Sequence, residues 1–168
     1  MSRYRPIDKN NYNKSNYITR EGYDKLEKEL NFLWKDERPR ITRSVSEAAA
    51  LGDRSENAEY ICGKKRLREI DRRVRFLTKR LEALQVIYPS PEQEGKVYFG
   101  AWVELEDDDG KLLNIRIVGP DEIDVFNKWI SIDAPMARAL IGKEVDDEVL
   151  VQTHNGKDAF IVNSIRYK

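Results

Sequence analysis

Apolar residues recur at spacings of three and four along two stretches in the first half of the chain. The more regular repeat consists of Tyr60, Gly63, Leu67, Ile70, Val74, Leu77, Leu81 and Leu84. The other repeat consists of Tyr23, Leu26, Leu30, Leu33, Ile41, Val45, Ala48 and Ala49. This period places the apolar side chains on one face of a helix. Two such helices joined by a short turn predict an antiparallel coiled coil.

Three residues should shape these two helices. Thr19 is placed to N-cap the first helix. Pro39 should kink that helix or break it locally, because proline lacks the backbone N–H and clashes with the preceding turn. Gly63 lies in the apolar face of the second helix, where glycine costs about 1 kcal/mol relative to alanine. We therefore expect looser packing close to the connecting turn.

Beyond residue 95 the apolar period falls to two, which is typical of β-strands. The expected strands cover residues 97–105, 113–117, 129–132, 148–152 and 159–165. Two hairpin turns are expected, one at residues 107–110 and one at Asn155-Gly156. A short helix should begin near Pro135, with Asp133 or Ala134 as its cap. The predicted fold class is α+β, with an N-terminal antiparallel coiled-coil hairpin and a C-terminal β-rich domain.

The chain divides into four segments on this basis. Residues 1–16 are rich in Asn, Lys, Arg and Tyr, have no usable period and are expected to form a disordered N-terminal arm. Residues 17–87 form the coiled coil with an acidic tip. Residues 88–95 form a linker, because proline and glycine interrupt regular structure there. Residues 96–168 form the β-rich domain.

Composition restricts the class of protein without identifying its partner. Lys+Arg and Asp+Glu both number 30, so the formal net charge is zero. The single cysteine, Cys62, excludes an internal disulfide and fits a reducing compartment. No apolar run approaches the roughly 20 residues that a membrane span needs, and the N-terminus lacks the apolar core of a signal peptide. We expect a cytoplasmic monomer with no membrane partner, and a lone surface histidine at His154.

The charges are unevenly distributed along the chain. Residues 64–80 carry nine basic residues against two acidic ones, which indicates a polyanion such as a phosphate backbone nearby. Few aromatic residues are interleaved, so contact with the backbone is favoured over base stacking. Residues 95–168 carry nine Lys/Arg and fourteen Asp/Glu, a net charge of minus five. This acidic domain is expected to dock on a protein.

Asp53 and Glu56 stand three residues apart at the connection between the two helices. On a helical turn their Cβ atoms would be about 5–6 Å apart, which suits Mg²⁺, an ion that takes one or two carboxylates and completes its shell elsewhere. Two carboxylates alone are half of such a site. The same residues also form a capping box, with Asp53 as N-cap and Glu56 at the third helical position. The local pattern by itself favours the cap, because capping boxes are common.

Three segments, residues 51–60, 64–74 and 131–140, closely resemble the Gre family of bacterial transcript cleavage factors, and in particular its GreB type. The resemblance covers residues 17–168. It implies that the coiled coil enters the secondary channel of RNA polymerase and that an FKBP-like C-terminal domain docks on the channel rim. It also implies that Asp53 and Glu56 help to hold the second Mg²⁺ of the polymerase, which then cleaves backtracked nascent RNA near its 3′ end.

The resemblance assigns two further sets of residues. The basic patch that would hold the extruded RNA consists of Lys64, Lys65, Arg66, Arg68, Arg72, Arg73 and Arg75. The residues that fall where the family contacts the polymerase rim are Ser131, Asp133, Pro135 and Arg138. Two features depart from the family pattern. The N-terminal arm is an addition, and Cys62-Gly63 replaces an expected Tyr-Asn pair.

Three other functions are compatible with part of the sequence. A regulator could occupy the same channel without promoting cleavage, although the presence of both tip carboxylates disfavours this. A nucleic-acid-binding coiled coil would explain the basic patch but not the acidic domain. A prolyl isomerase is disfavoured because the β-rich domain carries no signature of a working active site.

Overall fold

The computed structural model describes residues 14–53 and 57–168 and divides them into two compact units. One unit is the helical segment Glu21–Leu84. The other combines the segment that ends at Arg20 with Gln85–Lys168. The helical unit is therefore shorter at both ends than the expected residues 17–87, and the first thirteen residues of the expected arm lie outside the described residues.

The helical unit is the antiparallel hairpin that the apolar period predicts. Its first arm comprises α1 (Arg20–Phe32), a π-helical turn (Leu33–Glu37) and α2 (Arg38–Ala49), and its second arm is α3 (Ala58–Ala83). At 1.5 Å per residue, the 26 residues of α3 extend for about 39 Å. The break expected at Pro39 takes the form of the π turn, which ends two residues before it. In this turn the N–H of Arg38 donates to the carbonyl of Leu33, five residues back.

The two arms approach each other closely near the connecting turn. A Cβ added at Gly63 would come within 2.4 Å of Cγ2 of Val45. The expectation that Gly63 loosens the packing is therefore wrong. Glycine lowers the helix propensity of α3, but the absence of a Cβ lets α2 and α3 pack closely at this position.

Ion pairs join the arms along the hairpin. Arg73 pairs with Glu29, Arg66 with Glu37 and Arg38 with Asp71, each at 2.7 Å. Hydrogen bonding by the guanidinium of Arg73 lowers the pKa of Glu29 below its ordinary value. Glu37 is a buried member of this set, with the residue only 8% exposed. A buried charge without its partner is strongly destabilising. The hairpin therefore needs the contact with Arg66 to keep Glu37 buried.

The larger sheet of the second unit has five strands, which follow the predicted order along the chain. They are β3 (Trp102–Asp107), β4 (Leu112–Val118), β5 (Trp129–Ser131), β6 (Glu148–Thr153) and β7 (Gly156–Arg166), and they form a sheet in the order β5-β4-β3-β7-β6. All pairs are antiparallel except β4 with β5. Helix α4 (Pro135–Leu140) packs on the sheet, with Ala137 and Leu140 fully buried in its core.

Strand β3 begins later than the sequence predicts. Residues 97–101 precede β3 instead of extending it, because Val97 bonds with Gly142 and Lys143 near the end of α4. Gly100 adopts a φ of +85°, which breaks the extended conformation before Trp102. The α+β fold with a helical hairpin and a β-rich domain is confirmed.

The segment before α1 belongs to the β-rich unit. Strand β1 (Tyr17–Ile18) pairs in parallel with β2 (Gln85–Val86), and Ile18 is fully buried. A Cβ at Gly119 would lie 2.0 Å from the carbonyl oxygen of Tyr17, so that only glycine fits beside β1. Thr19 stands directly before α1, and both its N–H and its hydroxyl donate to the carboxylate of Glu122.

Candidate functional site

The connection between α2 and α3 is held by the side chain of Asn57. Its Oδ1 accepts a hydrogen bond from the N–H of Tyr60 at 3.2 Å, which caps α3. Its Nδ2 donates to the carbonyl of Ala48 at 2.7 Å, at the C-terminal end of α2. An amide carries its acceptor and its donor on separate atoms, so both hydrogen bonds form at once. Asn57 therefore joins the two helix ends directly.

This geometry overturns the capping box as an explanation for Asp53. Helix α3 begins at Ala58, and its N-cap is Asn57. Asp53 lies outside both helices, is exposed, and follows Gly52, whose φ of +128° is readily adopted only by glycine. Glu56 lies outside the described residues. Capping of α3 is thus performed elsewhere and does not account for the carboxylate at Asp53.

The apolar residue beside this carboxylate is also exposed. Leu51 is 80% exposed, although its N–H still donates to the carbonyl of Ala48. The tip of the hairpin thus presents Leu51, Gly52 and Asp53 outward, while Asn57 closes the helix ends beneath them. An exposed carboxylate at the end of a helical hairpin is suited to reach into a site on another molecule.

The predicted basic patch separates into two groups on α3. At 100° per residue, six cations fall within about 100° of arc, on the face turned away from the buried Ile70 and Leu77. They are Lys64, Lys65, Arg68, Arg72, Arg75 and Lys79. We call this set the basic stripe. Within residues 14–53 and 57–168, Lys64, Lys65, Arg68 and Arg72 have no carboxylate within salt-bridge distance.

The other two predicted RNA-binding residues face the first arm of the hairpin. Arg66 contacts Glu37 and Glu69, and its pKa is raised chiefly by the hydrogen bond to Glu37. Arg73 donates two hydrogen bonds to Glu29. Their guanidinium groups already carry hydrogen bonds to carboxylates of the same unit. Arg66 and Arg73 therefore hold the hairpin together, and the free positive charge lies in the basic stripe.

The four predicted rim residues lie at the end of β5 and the start of α4. Pro135 and Arg138 are exposed, Asp133 is half-buried, and Ser131 is only 7% exposed. The hydroxyl of Ser131 accepts the N–H of Asp133 at 3.0 Å. One carboxylate oxygen of Asp133, Oδ2, accepts the N–H of Ser15 at 2.8 Å. The structure brings these residues together, with Asp133 at the centre.

Two family models match the chain in succession. The model described as "Transcription elongation factor, N-terminal" matches residues 16–86, and "Transcription elongation factor, GreA/GreB, C-term" matches residues 92–167. GreB of Haemophilus ducreyi is 67% identical over 154 residues, which cover 92% of this chain and 95% of that protein. GreB of Yersinia pestis is 65% identical over 155 residues, which cover 92% and 91%. The chain belongs to the GreA/GreB family of transcription elongation factors.

The N-terminal region of the GreA/GreB family coincides with a structural feature of this chain. Its matched residues, 16–86, begin at β1 and end at β2, the two strands that pair with each other. Among solved structures, GreA factor homolog 1 of Thermus thermophilus matches with 28% identity and a TM-score of 0.40, covering 89% of this chain and 97% of that one.

Within this GreA/GreB chain, three residues with evident roles escaped sequence reasoning. They are Ser15, Glu37 and Asn57. Asn57 carries a local signal, since asparagine is among the best N-cap residues and directly precedes a helical segment. Glu37 and Ser15 carry none, because their partners lie 29 and 118 residues away along the chain.

The described residues of this GreA/GreB chain do not form a complete metal site. Across residues 14–53 and 57–168 there is no group of three or more His, Cys, Asp or Glu residues able to hold a metal ion. Carboxylate oxygen is nevertheless the donor that Mg²⁺ prefers, and Asp53 presents one at an exposed turn. Within the same residues, no helix is long and apolar enough to cross a membrane.

Proposed function

We propose that this chain enters the secondary channel of bacterial RNA polymerase in the cytoplasm and stimulates cleavage of the 3′ end of backtracked nascent RNA. Arrested complexes would then resume transcription. The observation that carries this proposal is the hairpin tip, where Asn57 caps the helix and Asp53 remains exposed on the turn. The polymerase performs the reaction. The chain is not itself an enzyme but supplies acidic residues in trans.

Asp53 and Glu56 would hold a Mg²⁺ ion jointly with the polymerase active centre. One or two carboxylates are the usual protein share of a Mg²⁺ shell, so a turn with two of them suits a site that is completed by another protein. When bound, such an ion stabilises charge on the attacking and leaving oxygens of a phosphodiester displacement. The chain's own part is to hold the Asp53 carboxylate at the end of a hairpin that Asn57 closes.

A transcript cleavage assay on a stalled, backtracked elongation complex tests this function. The chain should shorten the nascent RNA from its 3′ end and restore elongation when nucleotides are supplied. A regulator that occupies the channel without promoting cleavage would bind the same complex and leave the RNA intact. Binding without shortening of the RNA would therefore replace the proposed function with that alternative.

The basic stripe should hold the extruded RNA through its phosphates. Each phosphate contact to a single strand contributes about 0.7 to the slope of log affinity against log salt. Replacing Lys64, Arg68 and Arg72 together with alanine should therefore reduce that slope by about 2, as measured by crosslinking of backtracked RNA to the factor over a salt series.

The matched control for the stripe is the pair Arg66→Ala and Arg73→Ala, which removes two cations that are engaged with carboxylates. This control should lower the melting temperature and change the salt slope little. Equal slopes for the triple variant and the parent would mean that the stripe only solubilises the hairpin.

The docking energy should lie mainly in the acidic β-rich unit, around Asp133 and Pro135. We expect Asp133→Ala or Pro135→Ala to weaken competition for polymerase by about tenfold, because centrally placed charged and apolar contacts dominate interfaces. The melting temperature should fall by no more than about 4 °C, since one hydrogen bond contributes about 1 kcal/mol. Asp109→Ala, which removes an exposed carboxylate from a hairpin turn of the same unit, is the control and should bind like the parent. Unchanged binding by both test variants would contradict this docking site.

A further inference from the structure

Asp133 is held by hydrogen bonds at both its carboxylate and its backbone N–H. Its Oδ2 accepts the N–H of Ser15 at 2.8 Å, across 118 residues of sequence. Its own N–H donates to the hydroxyl of Ser131, which lies at the end of β5. Ser131 is only 7% exposed, so its side chain is placed to orient Asp133 and offers little surface to a partner.

Ser15 is in turn held firmly on the same unit. Its hydroxyl accepts the N–H of Tyr17 at 3.1 Å, and the carbonyl of the following Asn16 accepts the N–H of Gln85 at 2.7 Å. The next two residues form β1, and Thr19 donates twice to Glu122. The N–H that faces Asp133 therefore belongs to a segment fixed at several consecutive residues.

We propose that the last residues of the N-terminal arm, 14–16, belong to the polymerase-docking surface, where Ser15 acts as a positioning residue for Asp133. The N–H of Ser15 engages Oδ2 and selects one orientation of the carboxylate. The other oxygen, Oδ1, accepts no hydrogen bond from the described residues, and it is directed to a cationic or N–H donor group on the partner. A net charge of minus five over residues 95–168 favours a basic partner surface.

This inference rests on the proposed docking role of Asp133 and adds a part to it. A half-buried carboxylate that is free to rotate would lose that freedom on docking. This loss of entropy would weaken the affinity of the chain for its partner. The hydrogen bond from the N–H of Ser15 orders the carboxylate before the partner binds, so docking loses less side-chain entropy. The segment before β1 thereby influences affinity through Asp133.

The test is competition of the full chain for backtracked elongation complexes with two substitutions at one position. Ser15→Pro removes both the N–H and the hydroxyl, because proline has no backbone N–H. Ser15→Ala removes the hydroxyl and keeps the N–H. We expect Ser15→Pro to bind about fivefold more weakly than the parent, and Ser15→Ala to bind within about twofold of it.

A double-mutant cycle identifies the route of the effect. In an Asp133→Ala background, Ser15→Pro should cause no further loss. A full additional fivefold loss in that background would overturn the inference, because the segment would then act independently of Asp133. Equal affinities of Ser15→Pro, Ser15→Ala and the parent would overturn it too. If Asp133→Ala binds like the parent, this inference fails, and if Pro135→Ala does so too, the proposed docking site itself fails.

Amide hydrogen exchange tests the contact without relying on a proline variant. The N–H of Ser15 should be protected in the parent chain and should exchange at least about tenfold faster in Asp133→Ala. The amide of Gln85, which bonds to Asn16, should keep its protection in that variant. An unchanged exchange rate at Ser15 would show that Asp133 does not hold this N–H, and would overturn the inference even if Ser15→Pro failed to fold.

Discussion

Replacing Asp53 with asparagine is expected to slow cleavage of backtracked RNA at least about a hundredfold, because the proposed Mg²⁺ ligand would lose its charge and each 1.4 kcal/mol of transition-state stabilisation is about tenfold in rate. Affinity for polymerase, measured by competition, should stay within about threefold of the parent, since the proposed docking residues lie in the β-rich unit. Cleavage should recover in part at high Mg²⁺. The measurement is a single-turnover cleavage rate on a stalled complex.

The structure makes this substitution an informative one. Asn57 caps α3, so Asp53→Asn leaves that cap untouched. Asparagine also keeps nearly the size of aspartate, and the melting temperature should therefore match that of the parent. Asp109→Asn, which neutralises an exposed carboxylate of the other unit, serves as the control and should cleave normally. Full activity of Asp53→Asn would remove Asp53 from the chemistry.

The converse substitution, Asn57→Asp, should damage the tip while leaving Asp53 in place. Aspartate caps a helix about as well as asparagine, so the bond to Tyr60 is kept. The donor to the carbonyl of Ala48 is lost, and a carboxylate oxygen then faces that carbonyl. We expect the free energy of unfolding to fall by about 1–3 kcal/mol, and cleavage to slow by about tenfold because the turn no longer holds the Asp53 carboxylate in position.

Asn57→Ser separates the lost donor from the added charge. Serine caps the helix and is neutral, but it cannot supply the amide N–H that reaches Ala48. It should therefore share most of the loss measured for Asn57→Asp, by thermal unfolding and by the cleavage rate. Wild-type stability in both variants would show that the contact between Asn57 and Ala48 contributes nothing to the hairpin.

Much of the fold follows from periodicity, whereas the site depends on contacts that periodicity does not contain. The 3-4 repeat predicts the hairpin, and the alternation beyond residue 95 predicts the strands that form the sheet. Asp53 and Asn57 are equally good capping residues, so the sequence does not indicate which of them caps α3. The carbonyl of Ala48 decides, because an amide, unlike a carboxylate, can donate to it while also capping α3.

The remaining misses share a physical reason. Strands β1 and β2 have two residues each, too few to show any alternation, and they pair across the whole hairpin sequence. Arg66 and Arg73 look like members of one basic patch until their distance to acidic residues of the other arm is known. In the sequence, Gly63 indicates only a weak point of the helix, because the side chain of Val45 that it accommodates belongs to the other arm. Each of these depends on a partner that is distant along the chain.

The π turn has a consequence for where the tip carboxylate points. The buried or half-buried positions of the first arm include Leu33, Glu37, Ile41, Val45 and Ala48. Three consecutive spacings of four exceed what a regular helix keeps on one face. The turn absorbs the surplus residue, because its hydrogen bond spans five residues where an α-helix spans four. Without that residue, everything beyond it would rotate by about 100° around the helix axis. The direction in which Asp53 projects from the hairpin therefore depends on the extra residue of the π turn, which begins at Leu33, twenty positions before Asp53.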